Sequence, residues 1–234
     1  MGHSGSRHTG LRIANCCHHK VVEITQQRAL AVSDDLSSHP LDDQLGRDFM
    51  HDLAWSTDFA RENRRLMFDA MAEAFDRLLT TLEGAVVADY HNVSFINIHH
   101  NFAAIEDQAG QQVVVHRKGA TQAFAGMMGL IPGSMGSASF VVRGKGNEDS
   151  PKSCSHGVGR RRGRKAAQRE ITEAAFAASL DGMYSKPSMT YVDEAPGAYK
   201  DISVVIGRQA DLVDIVHTLK PFITVKGDSR AKED

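Results

Sequence analysis

Cysteine is scarce in this chain. Its 234 residues hold three, Cys16, Cys17 and Cys154, which excludes a disulfide framework and points to a reducing, cytoplasmic setting. Apolar runs of membrane-spanning length are also absent. The opening Met1-Gly2-His3-Ser4-Gly5 lacks the basic and apolar regions of a signal peptide. No charge of one sign dominates: the net charge of -2 excludes a polycation. Any nucleic-acid contact must therefore come from a local patch, and Arg160-Arg161-Arg162-Gly163-Arg164-Lys165 is the obvious one. There is no internal repeat and no GxxxxGK[ST] phosphate loop.

The 41% hydrophobic content allows an ordinary core. A helix is expected from about Leu11 to Val32, then a loop from Ser33 to Pro40. Leu41, Leu45, Phe49 and Leu53 repeat every four residues, and Phe59, Leu66, Ala70, Phe75, Leu78 and Leu82 continue the pattern less strictly. This predicts one long amphipathic helix or two consecutive ones, ended by Gly84. Strands are expected at Val93–Ile98, Val113–Val115, Leu130–Ile131 and Ala138–Val142. A helix follows from Lys165 to Leu180, stopped by Gly182, then a loop over Lys186–Ala198. Asp201–Leu219 reads as helix, in one piece or split near Gly207. Phe222–Val225 reads as a last strand carrying Lys226, with a disordered tail over roughly 228–234. Helices and strands intersperse without regular βαβ alternation, so the fold class is α+β. The whole of 1–234 reads as a single domain.

Eleven of the 20 glycines fall between Gly110 and Gly163. Beside them stand histidine, serine and arginine. Backbone N–H groups and guanidinium forks suit an anion, and imidazole suits a metal or nucleophilic attack. Cys16-Cys17-His18-His19 resembles a zinc signature, but four consecutive helical side chains point around the whole circumference. His99 and His100 close an expected strand and so point to opposite sides. A strand histidine can be structural; Asn101 beside it favours a metal or phosphate role. His156, between Ser155 and Gly157-Val158-Gly159, is either a turn residue or a phosphate-contacting nucleophile backed by arginines. Arg160 and Arg164 are four apart and would share a face if helical. Cations at a helix N-terminus oppose the macrodipole, so an anion is expected there. Pro132-Gly133-Ser134-Met135-Gly136 alone is a turn between strands.

Together these motifs resemble the RtcB family, the GTP- and manganese-dependent RNA-splicing ligases. The matching stretches are His3-Ser4-Gly5-Ser6-Arg7, Ala60-Arg61-Glu62-Asn63-Arg64, His99-His100-Asn101-Phe102, Arg117-Lys118-Gly119-Ala120 and Leu130–Gly136. Ser155–Arg160, Ala198-Tyr199-Lys200-Asp201 and Val225-Lys226-Gly227 complete the series, in family order.

The resemblance implies an RtcB-like mixed fold and an RNA ligase. Such an enzyme joins RNA 3′-phosphate or 2′,3′-cyclic phosphate ends to 5′-hydroxyl ends through a GMP–histidine intermediate. His156 matches the guanylylated histidine, and His3 and His100 match two manganese ligands. His100, Asn101, Pro132, Gly133, Ser134, Met135, Ser139, His156, Gly157, Val158, Gly159 and Lys226 match GTP contacts. Arg7, Arg160 and Arg164 match positions that hold RNA phosphates. The family's upstream half is not represented in this sequence. That half carries an aspartate and a cysteine that ligate the metals, a third histidine ligand, and a glutamate near the guanine. His8 also stands where the family usually has glycine. The expectation is thus the C-terminal part of an RtcB fold, acting in the cytoplasm on RNA ends such as tRNA halves or cleaved RNA. A separate polypeptide would supply the rest. The alternative is a catalytically impaired RNA- or GTP-binding remnant.

Overall fold

A computed structural model of the protein describes residues 1–28, 33–81 and 95–226. The chain divides into two compact units, Met1–Asn97 and Ile98–Asp234. It is an α+β fold.

The first unit is a pair of helices, α1 (Arg7–Gln27) and α2 (Gln44–Leu79), with a 3-10 turn at Asp34–Leu36 between them. The predicted periodic helix is α2, one unbroken element. It begins after Leu41 because Asp43 caps it, its side chain accepting from Gly46 N at 2.9 Å. The expected stop at Gly84 lies outside the described residues. Only Val21 and Ala60 are buried apolar side chains among this unit's described residues, and Phe59, Leu66, Phe75 and Leu78 of the periodic pattern are exposed. Polar bonds tie the N-terminal segment to α2 instead. Asn63 Nδ2 donates to Ser4 Oγ at 3.0 Å, and Arg64 Nη1 donates to the Ser4 carbonyl at 3.0 Å. Arg64 Nε donates to Asn97 Oδ1 at 2.7 Å.

The second unit carries three antiparallel sheets. Strands β1 (Asn101–Gln108) and β2 (Gln111–Lys118) form a hairpin. Its two loop residues, Ala109 and Gly110, both have positive φ, 52° and 83°, the requirement of a tight two-residue hairpin turn. Strand β3 (Ala120–Gln122) pairs with β6 (Ser153–Ser155), and β4 (Met128–Ile131), β5 (Ser139–Gly144) and β7 (Val213–Leu219) form a sheet in the order β4-β5-β7. Helices α3 (Arg164–Glu170), α4 (Glu173–Ala178) and α5 (Ile202–Gly207) complete the unit, with 3-10 turns at Met189–Glu194 and Pro196–Ala198. One core cluster gathers Ile131, Phe140, Val142, Cys154, Val158, Ile202 and Val213; the other gathers Met135, Phe176, Leu180, Val192 and Ala195.

Four expectations need correction. Residues 95–98 form no strand (93 and 94 lie outside the described residues), and the strand starts three residues later at Asn101. The expected helix Lys165–Leu180 is broken at Ile171, which is extended (φ -93°, ψ 116°). Thr172 then caps α4 by accepting from Ala175 N, so the hydroxyl competes with helix continuation. The expected helix Asp201–Leu219 ends at Gly207, and Val213–Leu219 is strand β7. Val213, Ile215 and Val216 are β-branched, and the β5 edge supplies the ladder. Phe222–Val225 finds no strand partner and forms no regular structure.

Candidate functional site

His156 follows β6 directly. Its position is fixed from Gly119, the single residue between β2 and β3. The His156 backbone N–H donates to the Gly119 carbonyl at 3.3 Å, and His156 Nδ1 lies 2.6 Å from the same oxygen. The Gly119 N–H donates in turn to the His100 carbonyl at 3.1 Å and to Asn101 Oδ1 at 3.3 Å. The two backbone polar groups of one residue, Gly119, thus join His100, Asn101 and His156. Gly119 has φ +75°, and a Cβ there would sit 3.5 Å from His156 Nδ1 and Cε1. The left-handed conformation and the close ring both favour glycine. The His100 and His156 rings stack, with centroids 5.1 Å apart and planes 5° apart. His99 turns elsewhere, its ring 5.7 Å from Phe102.

The glycine-flanked segment continues into the turn after β4. Val158 N donates to the Pro132 carbonyl at 2.9 Å. Within the turn, Gly133 N donates to Ser139 Oγ at 3.0 Å and Ser134 N to Ser137 Oγ at 2.7 Å. Met135 is buried beneath it. So His100, Asn101, Pro132–Met135, Ser139 and His156–Gly159 belong to one bonded constellation in the second unit.

Cys154, two residues before His156, is 4% exposed, and burial pushes its thiol up to about 11. It stays protonated at neutral pH.

Lys226 and Arg160 meet on one carboxylate. Lys226 Nζ lies 3.1 Å from Glu194 Oε2, and Arg160 Nη2 bonds Glu194 Oε1. Arg160 Nη1 donates to the Asp193 carbonyl at 2.6 Å, and its guanidinium lies 4.8 Å over the Tyr199 ring. The Tyr199 hydroxyl donates to Glu194 Oε2 at 2.7 Å. Burial alone would raise the Glu194 carboxyl. Bonds from Tyr199 and Lys226 and the Arg160 charge outweigh it and hold the group below its ordinary value. Burial, then the Glu194 bond, pushes the Tyr199 phenol up.

Arg160 is not helical. It forms a β-bridge with Tyr199, and α3 starts only at Arg164. The helical face expected for Arg160 and Arg164 does not exist. Both still approach Asp193 Oδ2, at 3.8 and 3.6 Å. Part of the anion expected beside this basic stretch is therefore the protein's own Asp193 and Glu194. Sequence reading missed both: Asp193 and Glu194 end a 3-10 helix in a stretch read as loop, and a lone pair of acids carries no motif. Arg162 is also taken, by Glu170 at 3.0 Å and the Gly197 carbonyl. Arg161 is exposed, and the Arg164 side chain is 72% exposed.

His3 and Arg7 belong to the first unit; the side chain of Arg7 lies outside the described residues. Among the described residues no three His, Cys, Asp or Glu side chains converge as metal ligands. Manganese favours carboxylate and other oxygen donors. His100 and His156 stacked together are an imidazole pair, and His156 already uses one nitrogen on Gly119. These residues do not by themselves fit manganese. No described helix is long and apolar enough to cross a membrane.

The second unit thus carries a histidine locked on Gly119, a glycine-rich turn of backbone N–H donors and an arginine–lysine–carboxylate cluster, groups of the kind that suit an anionic ligand. The sequence model of the family described as tRNA-splicing ligase RtcB matches residues 1–227. The chain is 36% identical to the RNA-splicing ligase RtcB of Escherichia coli K12, over 97% of the chain and 55% of that protein. It is 31% identical to the tRNA-splicing ligase RtcB of Thermococcus kodakarensis, over 97% of the chain and 52% of that protein. For the RNA-splicing ligase RtcB of Mycobacterium tuberculosis the figures are 32%, 97% and 56%. This chain belongs to the RtcB family, and it spans about half the length of the curated relatives it matches.

Proposed function

We propose that this chain is the nucleotide-activating part of a GTP-dependent RNA ligase, with His156 as its nucleophile. One observation carries the reading: the 2.6 Å contact of His156 Nδ1 with the Gly119 carbonyl. A carbonyl only accepts, so Nδ1 holds the imidazole proton. The lone pair is then on Nε2, the ring nitrogen pointing away from Gly119. Attack by Nε2 on the α-phosphate of GTP forms an N–P bond, breaks the bond to the β-phosphate oxygen and releases pyrophosphate. GMP then passes to an RNA 3′-phosphate, and a 5′-hydroxyl end displaces it, joining the strands. A 2′,3′-cyclic phosphate is opened first.

His100, Asn101, Pro132–Met135, Ser139, His156–Gly159 and Lys226 are the GTP contacts in this reading. Arg7, Arg160 and Arg164 are the RNA-phosphate contacts in this reading, and exposed Arg161 is added to them. RNA ends such as tRNA halves or cleaved RNA are the substrates, and the cytoplasm is the setting. Residues 1–234 are read as one partial catalytic domain. His3 and His100 remain the resemblance's manganese ligands. Because they do not complete a site, no step here runs through the metal, and a separate polypeptide carrying the upstream half is the expected source of the other ligands.

The test is incubation with α-labelled GTP and manganese, followed by denaturing electrophoresis. Weak label is expected on the chain alone, stronger label with the upstream half of a relative in trans, and none with His156→Ala. Label that survives His156→Ala would sink the reading. The half-length match to relatives favours one alternative, a GTP- or RNA-binding chain impaired in catalysis. That alternative predicts GTP binding without covalent label even when the upstream half is present.

A further inference from the structure

Lys226 sits on a segment with little to hold it. Residues 220–226 form no regular secondary structure; Phe222, Ile223 and Val225 are exposed, with the Phe222 ring meeting the exposed Tyr184 ring edge-on at 6.2 Å, so no buried apolar side chain among them anchors it. Backbone and hydroxyl bonds fix its first half. Tyr184 N donates to the Phe222 carbonyl at 2.8 Å, Ser185 and Thr224 bond each other, and Thr224 Oγ1 donates to the Met135 carbonyl at 3.4 Å. Beyond Thr224, Lys226 Nζ donates to Glu194 Oε2 at 3.1 Å.

We propose that Glu194 is a positioning residue for nucleotide binding, its carboxylate setting Lys226 in place and tying it to the His156–Arg160 segment. The inference rests on the reading of Lys226 as a nucleotide contact. Oε2 takes both the Lys226 ammonium and the Tyr199 hydroxyl, while Oε1 takes Arg160. Arg160 in turn lies over the Tyr199 ring and donates to the Asp193 carbonyl. Tyr199 and Arg160 therefore hold the carboxylate from two sides, and the carboxylate holds the lysine. Without its negative charge, Arg160 and Lys226 would be two cations sharing one small region, and they would repel. An ammonium on a flexible four-carbon stem loses affinity for its ligand when nothing preorganises it.

Glu194→Gln keeps the size and removes the charge. Labelled GTP binding to the full chain is measured by equilibrium dialysis for wild type, Glu194→Gln, Lys226→Ala and the double variant. Each single variant is expected to weaken GTP binding roughly tenfold, about 1.4 kcal/mol, and the double variant no more than either single. This non-additivity separates positioning from a general structural role. Glu194→Asp, which keeps the charge and shortens the reach to Lys226, is expected to show the same loss, and serves if the Gln variant fails to fold. Binding by Glu194→Gln or Glu194→Asp within twofold of wild type overturns the inference. So does a double variant whose loss is the product of the two single losses. Wild-type chain that binds no GTP overturns the underlying reading as well. GTP binding sensitive to Glu194 but without label on His156 leaves the positioning role standing while the ligase reading falls.

Discussion

Arg117 and Glu106 form a buried, bidentate ion pair under the β1–β2 hairpin. Their side chains are 1% and 5% exposed, and the two N–O distances are 2.6 and 2.8 Å. Arg117 Nε also donates to Ser153 Oγ at 3.0 Å and Nη2 to the Pro151 carbonyl at 3.1 Å, while Gln122 donates to Glu106 at 2.7 Å. Arg117→Met leaves the Glu106 carboxylate buried and unpaired. Breaking such a pair costs about 3–5 kcal/mol, against a typical domain stability of about 5–15 kcal/mol. At about 3–5 °C per kcal/mol for a unit of this size, the melting temperature should fall by roughly 10–20 °C. Thermal unfolding followed by circular dichroism measures this. Arg117→Met combined with Glu106→Leu should be less destabilised than Arg117→Met alone, because no buried charge is left over. The pH dependence has a definite sign. Burial would raise the Glu106 carboxyl, but its bonds from Arg117 and Gln122 outweigh that and hold it below its ordinary value of 4.5. A depressed folded-state pKa stabilises at pH above the unfolded value and loses that contribution as pH falls through the folded value. Wild type should therefore lose stability progressively below pH 4.5, and Glu106→Gln should lose less over the same range. An Arg117→Met variant within about 1 kcal/mol of wild type would refute the whole argument.

Other predictions bear on the site itself. Gly119→Ala places a side chain at φ +75°, a strain of about 1–2 kcal/mol; the fold should survive while nitrogen NMR of His156 shows a shifted tautomer balance and labelling slows. Cys154, with its thiol pushed up to about 11, should resist iodoacetamide at pH 8 while exposed Cys16 is modified, as peptide mass spectrometry would show. Arg161→Ala with Arg164→Ala should weaken RNA binding about equally across sequences and lower the slope of log affinity against log salt by roughly 1–2. A strong base preference at constant salt would contradict phosphate binding.

The long helix was legible because Leu45, Phe49 and Leu53 recur every four residues and apolar positions continue less strictly to Leu78, yet the pattern did not tell which side chains are buried. Strand β1 was harder to see. Asn101-Phe102-Ala103-Ala104-Ile105-Glu106 has one β-branched residue, and its hairpin turn uses Ala109 at positive φ where Asn, Asp or Gly would have announced it. Val213–Leu219 failed for the opposite reason. It follows a real helix, and only the β5 edge, distant in sequence, makes it a strand. The site residues were legible as motifs, but their partners were not. The basic patch was read as an RNA-phosphate contact, with Arg160 and Arg164 matching such positions, whereas Arg160 already bonds the carboxylate of Glu194 and its neighbour Arg162 that of Glu170. Sequence shows the cations; only the fold shows which are already paired.

The stacking of His100 on His156 follows from strand register. The β1–β2 ladder pairs Asn101 with Lys118, which brings His100 next to Gly119. The β3–β6 ladder pairs Ala120 with Ser155, which brings His156 next to the same glycine from the other side. The two ladders share the backbone Lys118-Gly119-Ala120, and Gly119 turns the chain between them. A slip of one residue in either ladder would carry its histidine to the opposite face. The hairpin register is protected by the buried Glu106–Arg117 pair, since both residues lie on the hairpin and their side chains meet beneath it. The β3–β6 register is protected by Cys154 and Thr121, paired with each other and both buried. The geometry of His156 therefore depends on buried groups outside the constellation that holds it. Substitutions at Glu106 or Thr121 should change His156 chemistry before they unfold the unit.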